Sequence, residues 1–389
     1  MIQFLNYFLI GYLILKPAIT NLFFNFDGAG RIPLILMVLI LTLNVNNKNF
    51  YQTIISKPII TWVIWGIYVG ISWYIIGIRS VEIPTWSFLF NYIIFPIFSM
   101  VVAAYESKRN YKTFSKFILY CFVSFCILGF TFQEKGNTEE RGGELLGNAL
   151  PLAATCMFYV ASFCRTHNII TKKIFYAGFV LAILAILMVA TRKALIAVSI
   201  IYILYILSQN RTVSFSYIFK IVLLFLFVLI IGNYILDNTL LGDRFRNTED
   251  VGSEFNTTNI AWLNFLGDRA YFYITGWKLF LEEPLTGIGL MNFRVIEKTQ
   301  LPIHSEYIVQ LTECGLIGCF FFILFYRQIF SLIKRIKANN YQQNIKLNLI
   351  SWFFAFFFLS LTTWTYQFPR YFIITGMIIG YCKTKISEK

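Results

Sequence analysis

The residues best suited to chemistry are one histidine and a few arginines in and around the stretch from Asp268 to Gly318. His304 stands just ahead of an apolar run, on the side where a long polar segment re-enters it. A helix N-terminus disfavours added positive charge, so an imidazole placed there is kept neutral. A neutral imidazole can take a proton from a hydroxyl. The plain alternative is an interfacial histidine hydrogen-bonded to its loop. Arg269 heads a short amphipathic pattern, where a cation is electrostatically unfavourable; pairing with Asp268 or with a lipid phosphate is the ordinary explanation. Arg192, Arg141 and Arg79 fall on the same predicted side of the chain's apolar runs. Guanidinium forks match phosphate oxygens in bidentate fashion, so several of them converging could hold a diphosphate and stabilise the charge that appears as it leaves. Arg141 sits in Glu139-Glu140-Arg141-Gly142-Gly143-Glu144, which reads equally as a solvated turn.

Other chemistries are poorly supported. The chain has no Asp-x-Asp pair, no paired histidine and carboxylate set and no Walker motif, so neither a metal, a nucleotide nor any other cofactor is called for. Its seven cysteines form no CxxC pair, which signals neither a disulfide framework nor a zinc site. The net charge of +14 invites a nucleic-acid reading. No basic patch interleaves with exposed aromatics on a soluble module, so nucleic acid is not expected as a partner. Gly287 and Gly289 form a lone G-x-G, weak evidence for phosphate binding and better explained by a tight turn after a helix. His167, in a basic loop, reads as solvated.

The elements that must position these groups are membrane helices. Of 389 residues, 58% are hydrophobic and 13% charged, and apolar runs of about 20 residues recur from end to end. The fold class is therefore all-α, a polytopic transmembrane bundle of ten to twelve spans forming one integral-membrane domain over residues 1–389. Candidate spans are 3–24, 31–45, 58–78, 86–104, 114–132, 146–164, 174–190, 194–208, 217–236, 305–326, 347–366 and 371–382. The first lacks a basic start and a small-residue cleavage site, so it is expected to be retained.

Lysine and arginine cluster at 108–112, 165–173, 327–346 and in the 383–389 tail, whereas the opposite short loops carry only Arg31, Arg79, Lys135, Arg141, Arg192, Lys193 and Arg370. The bias makes both termini cytoplasmic and puts the 237–303 loop outside. The run from Ile174 to Ser208 is 35 residues, which as one helix would reach roughly 50 Å across a core of about 30 Å. It must fold as a hairpin near Thr191-Arg192-Lys193. Parity then holds those cations on the disfavoured side, where such charges are expensive and often functional, although snorkelling to headgroups also accounts for them. Within the long loop, Ala270 to Glu282 reads as an interfacial helix carrying Ile274, Trp277, Leu279, Phe280 and Leu281, with Asp268 as N-cap and Pro284 as stop. Ser305 reads as the N-cap of the tenth span, with Glu306 in its first turn.

Taken together, these elements resemble the O-antigen polymerase and O-antigen ligase superfamily of bacterial membrane glycosyltransferases. The resemblance rests on Thr191-Arg192-Lys193-Ala194, on Arg269 ahead of Trp277, and on Glu283-Pro284-Leu285-Thr286-Gly287-Ile288-Gly289. It continues through His304-Ser305-Glu306-Tyr307, Glu313-Cys314-Gly315-Leu316-Ile317-Gly318 and Gly147-Asn148-Ala149-Leu150-Pro151-Leu152-Ala153. The family commonly has His-Asn where this chain has His304-Ser305. The resemblance implies a metal-independent glycosyltransferase of the bacterial cytoplasmic membrane. Its donor would be an undecaprenyl-diphosphate-linked oligosaccharide used on the outer face. Arg192 and Arg269 would bind the diphosphate and His304 would be the base. It also implies a chain-length regulator and a flippase of the same pathway as partners. A polymerase would use another lipid-linked repeat unit as acceptor, a ligase the lipid A–core. A lipid-linked-glycan transporter is the rival from another class, but that predicts charges at the midplane of several spans, and Lys16 is the only obvious one.

Overall fold

A computed structural model describes residues 1–22, 31–76, 89–131, 149–189, 191–209, 268–296, 303, 305–336, 340–361 and 368–387. Among these residues the regular structure is all helical, with thirteen α-helices and one π-helical turn at Leu89–Ile94. The helices are α1 (Ile2–Leu22), α2 (Arg31–Leu43), α3 (Lys48–Ile54), α4 (Lys57–Ile76), α5 (Phe95–Thr131), α6 (Ala149–Thr166) and α7 (Lys172–Met188). They continue with α8 (Arg192–Gln209), α9 (Asp268–Glu282), α10 (Phe293–Ile296), α11 (Glu306–Arg335), α12 (Asn340–Ser360) and α13 (Pro369–Ser387). Among the described residues, four stretches are long and apolar enough to cross a membrane: 57–75, 95–130, 149–166 and 306–335. On α4, Ile60, Ile64, Ile67, Ile71 and Ile75 are exposed while Ile59, Trp62, Trp65, Val69 and Trp73 are buried. That helical stripe of exposed isoleucine suits hydrocarbon rather than water.

Eleven of the twelve expected spans fall on described helices; the one at 217–236 lies outside the described residues. Two of the long helices are broken. In α5, Asn110 is extended (φ −156°, ψ 85°), and its side-chain oxygen accepts the Thr113 amide at 3.1 Å. It thus ends one span and caps the next within the basic turn. In α11 the break is at Gly315 (φ 61°, ψ −169°). This break overturns the expectation of a single span at 305–326. Tyr307 and Phe322 ring centroids are 6.4 Å apart, whereas a straight helix would separate those residues by about 22 Å along its axis. Residues 306–314 therefore form a half-helix folded back on the crossing segment 316–335.

α4 sits against both limbs. Thr61 donates to Gln328 at 2.9 Å and Trp62 packs on Phe325 at 4.6 Å, antiparallel to the crossing segment. Trp65 Nε1 donates to Gln310 Oε1 at 3.1 Å on the half-helix. α13 presses into α5 through Gly376 and Gly380, where a Cβ would overlap the Met100 and Ala104 carbonyl oxygens. Ser107 Oγ donates to the Met377 carbonyl across the same seam at 2.7 Å. This small-xxx-small contact lets two backbones touch, which is how membrane helices associate when hydrophobicity gives them no preference over lipid.

α7 and α8 form the hairpin expected from the 174–208 run, α7 ending at Met188 and α8 beginning at Arg192. Gly178 of α7 faces Ala161 of α6, with room for a Cβ at 3.7 Å from the alanine methyl. α6 and α7 are antiparallel, and about one helix length from this contact brings Ala149 level with the hairpin turn.

Candidate functional site

The site is built on two interlocked glycine turns. After α9, the chain passes Glu283–Met291 with Gly287, Gly289 and Met291 all at positive φ (69°, 88° and 67°). This loop lies on the Gly315 reversal. The Ile288 amide donates to the Thr312 carbonyl at 2.9 Å and that of Gly289 to the Glu313 carbonyl at 3.0 Å. In return Leu316 donates to Pro284 at 2.9 Å and Ile317 to Leu285 at 3.2 Å. The two turns approach so closely that a Cβ on Gly315 would meet the Leu285 carbonyl and the Gly287 amide, and one on Gly287 would lie 2.6 Å from the Glu313 carbonyl. Tyr68 Oη pins both sides, donating towards the Thr286 carbonyl at 3.1 Å and the Cys314 carbonyl at 2.9 Å. The Gly287 amide donates to Glu283 at 2.9 Å. The amides of Gly287, Ile288 and Gly289 are thus engaged within the protein, so this G-x-G is a packing turn and not a phosphate cradle.

Glu313 closes the arrangement. Its side chain is buried, and its Oε2 accepts the Met291 amide at 2.8 Å. The Phe293 amide, at the start of α10, also donates to the carboxylate. A buried carboxyl group receiving two backbone N–H groups is a strong tie, because releasing it would leave buried polar groups unpaired. The loop and the half-helix are thereby one rigid unit. α9 packs on that unit through Gly276, against Ile303, Ile308 and Thr312, and Thr312 Oγ1 donates to the Gly276 carbonyl at 2.9 Å. The outer side of α9 shows Tyr271, Trp277 and Leu281, followed by Leu285, all exposed. α9 is thus a helix where one was expected, with a large apolar side left uncovered by the protein. Asp268 is its first helical residue rather than its N-cap.

Arg269 occupies the second position of α9, and Arg192 is the first residue of α8, just past the hairpin turn. Both expected arginines therefore start helices. His304, Arg79 and Arg141 lie outside the described residues. The neighbours of His304 are informative. Ile303 and Ser305 are both buried. Ser305 stands at the N-cap position of the half-helix, although its hydroxyl makes no capping bond. Glu306, in the first turn as expected, is buried too. The half-helix start is therefore buried within the protein, about 12 Å along the helix axis from the Gly315 turn and beside Phe322. Tyr307 Oη donates to the Phe357 carbonyl at 3.1 Å. Phe322 packs on Tyr326 at 5.0 Å, and the Tyr326 and Tyr371 hydroxyls are 2.8 Å apart. The first turn of α13 thus forms a wall beside this aromatic cluster.

That wall contains a residue the sequence reading left as a minority loop cation. Arg370 is 3% exposed. Its Nε and Nη2 donate to the Ile14 carbonyl at 3.1 and 2.9 Å, its Nη1 donates to the Ala149 carbonyl at 3.2 Å, and its guanidinium lies 4.2 Å from the Phe125 ring centroid. The available signal was a cation at the head of the last span on the disfavoured side. Lys16, the mid-span charge of α1, approaches the Phe95 ring at 5.7 Å.

His167 departs from expectation. It is buried, not solvated, boxed by Phe163, Tyr381 and Tyr111 at 4.5, 4.9 and 5.2 Å between ring centroids. Burial, reinforced by the charges of Lys385 and Lys112, pushes its imidazole down to about 3 and keeps it neutral.

Residues 177–323 match the family model described as O-antigen ligase. The match spans most of α7 to the middle of α11, and so takes in Arg192, Arg269, His304 and both glycine turns. No curated protein matches the chain.

Proposed function

We propose that this protein, whose residues 177–323 match the O-antigen ligase family model, is a polysaccharide polymerase of the O-antigen ligase and polymerase superfamily. It transfers an undecaprenyl-diphosphate-linked glycan to a hydroxyl of another lipid-linked repeat unit. The reaction takes place on the outer face of the bacterial cytoplasmic membrane, with both termini in the cytoplasm and the 237–303 loop outside. His304 accepts the proton of the acceptor hydroxyl as that oxygen bonds to the anomeric carbon. The bond from this carbon to the diphosphate breaks, and undecaprenyl diphosphate leaves. Arg192 and Arg269 hold the diphosphate and stabilise the charge it gains, with Arg141 and Arg79 assisting. The leaving group is already activated, so neither nucleotide nor metal is required.

The observation that carries this reading is the rigid unit of loop and half-helix. It fixes the segment that begins just after His304 against the helix headed by Arg269. A general base contributes about 10²–10⁴-fold when held in place, and a clamped half-helix is a suitable mount. A ligase that transfers the glycan to lipid A–core is the second reading, favoured by the printed description of the matching family. A glycan gel of a deletion strain separates the two. Loss of a polymerase leaves core carrying one repeat unit, whereas loss of a ligase leaves bare core with polymer still on the carrier. Normal glycan in the deletion strain contradicts both.

A further inference from the structure

Arg370 is a buried cation that the mechanism above does not use. A guanidinium offers five N–H donors. Three of them go to two backbone carbonyls, those of Ile14 and Ala149, and a ring covers one face. Among the described residues, the other two donors have no acceptor and no carboxylate pairs with the charge. A neutral side chain could tie three helices together as well. Burying a charge among groups that are all neutral in the described residues is expensive, and buried charges of membrane proteins mark functional sites.

Its position matches the site. Arg370 holds the first residue of α6, which lies level with the hairpin turn before Arg192. Its neighbour Tyr371 is hydrogen-bonded to Tyr326, in the aromatic cluster beside the half-helix start. The first turn of α13 therefore connects the end of the bundle that carries Arg192 with the segment that follows His304.

We infer that Arg370 is a further substrate-binding residue, whose two remaining N–H groups grip a phosphate of the carrier diphosphate at the base of the site. This rests on the diphosphate-donor reading above. The fork is already oriented by the Ile14 and Ala149 carbonyls, so little side-chain freedom is lost on binding. The two free donors suit two oxygens of a phosphate, a match that a lysine, a point charge, does not reproduce.

The test compares purified wild type with Arg370→Gln and Arg370→Lys, using undecaprenyl diphosphate as probe. Wild type binds it, and both variants bind at least tenfold more weakly. In turnover with a lipid-linked glycan, KM for the donor rises at least tenfold while kcat stays within threefold. Phosphatidylglycerol does not displace the probe; equal displacement would overturn the diphosphate assignment in favour of a headgroup site. Binding within twofold of wild type, with only a lower melting temperature, would reduce Arg370 to a structural tie. Where the variants do not fold, a diazirine-bearing polyprenyl diphosphate on wild type decides. Label on the first turn of α13 or on Phe125 supports the inference, and label confined elsewhere overturns it. Wild type that binds no undecaprenyl diphosphate overturns the donor reading itself, and this inference with it.

Discussion

Gly315→Ala tests the central geometric feature of the site. The residue holds φ 61° and ψ −169°, a region open essentially to glycine alone, where a side chain costs about 1–3 kcal/mol. The new methyl would also overlap the Leu285 carbonyl and the Gly287 amide. Both are backbone atoms locked in the interleaved turns, so relief requires the loop to lift off. That releases the bonds of Ile288, Gly289, Leu316 and Ile317, each worth about 1 kcal/mol net. Strain and lost bonds together reach roughly 5 kcal/mol, enough to detach the loop from the half-helix while the rest of the bundle stays folded. The expected result is a protein that inserts in the membrane, is cut faster by protease within 283–296, and makes no long glycan. Gly178→Ala is the control, since its methyl meets only ordinary contact with Ala161 at 3.7 Å. It should change stability by no more than about 1 kcal/mol. Full glycan length and unchanged protease resistance in Gly315→Ala would refute the interlocked-turn argument.

Two further perturbations follow. Gly380→Ile places a branched side chain against the Ala104 carbonyl and the Lys108 amide, and should cost several times the about 1–3 kcal/mol of ordinary overpacking, seen as loss of folded protein in detergent; wild-type yield and melting would contradict the α5–α13 seam. His167 is depressed to about 3 in the fold against its ordinary 6.5, so protonation favours unfolding. Its contribution is complete above pH 6.5 and falls as pH drops towards 3, by up to about 1.4 kcal/mol per pH unit. Melting of wild type should therefore decline between pH 7 and 5.5 more steeply than that of His167→Phe, and equal slopes would show that the box does not hold a neutral imidazole.

Much of the bundle was legible because apolar run length is a direct physical demand of the bilayer. That 174–208 folds as a hairpin followed from length alone, since 35 apolar residues cannot cross once, but the turn expected at Thr191-Arg192-Lys193 comes earlier, because α8 already begins at Arg192. The reversal at Gly315 was not legible. Glu313-Cys314-Gly315-Leu316-Ile317-Gly318 reads as continuous helix, and the positive φ becomes necessary only because Gly287, far away in sequence, comes to lie against it. His167 misled for a related reason. Its basic surroundings suggest water, but the rings that bury it come from three separate segments at Tyr111, Phe163 and Tyr381. Arg370 was visible as a charge on the disfavoured side, whereas its partners, two backbone carbonyls and a ring, leave no mark in a sequence.

The most direct measurement follows glycan–glycan bond formation by purified protein from lipid-linked repeat units, without nucleotide, in wild type and His304→Ala. Wild type should extend the glycan and release undecaprenyl diphosphate, and His304→Ala should be slower by about 10²–10⁴-fold while still binding the donor. A His304→Ala rate within twofold of wild type would contradict the assignment of His304 as the base.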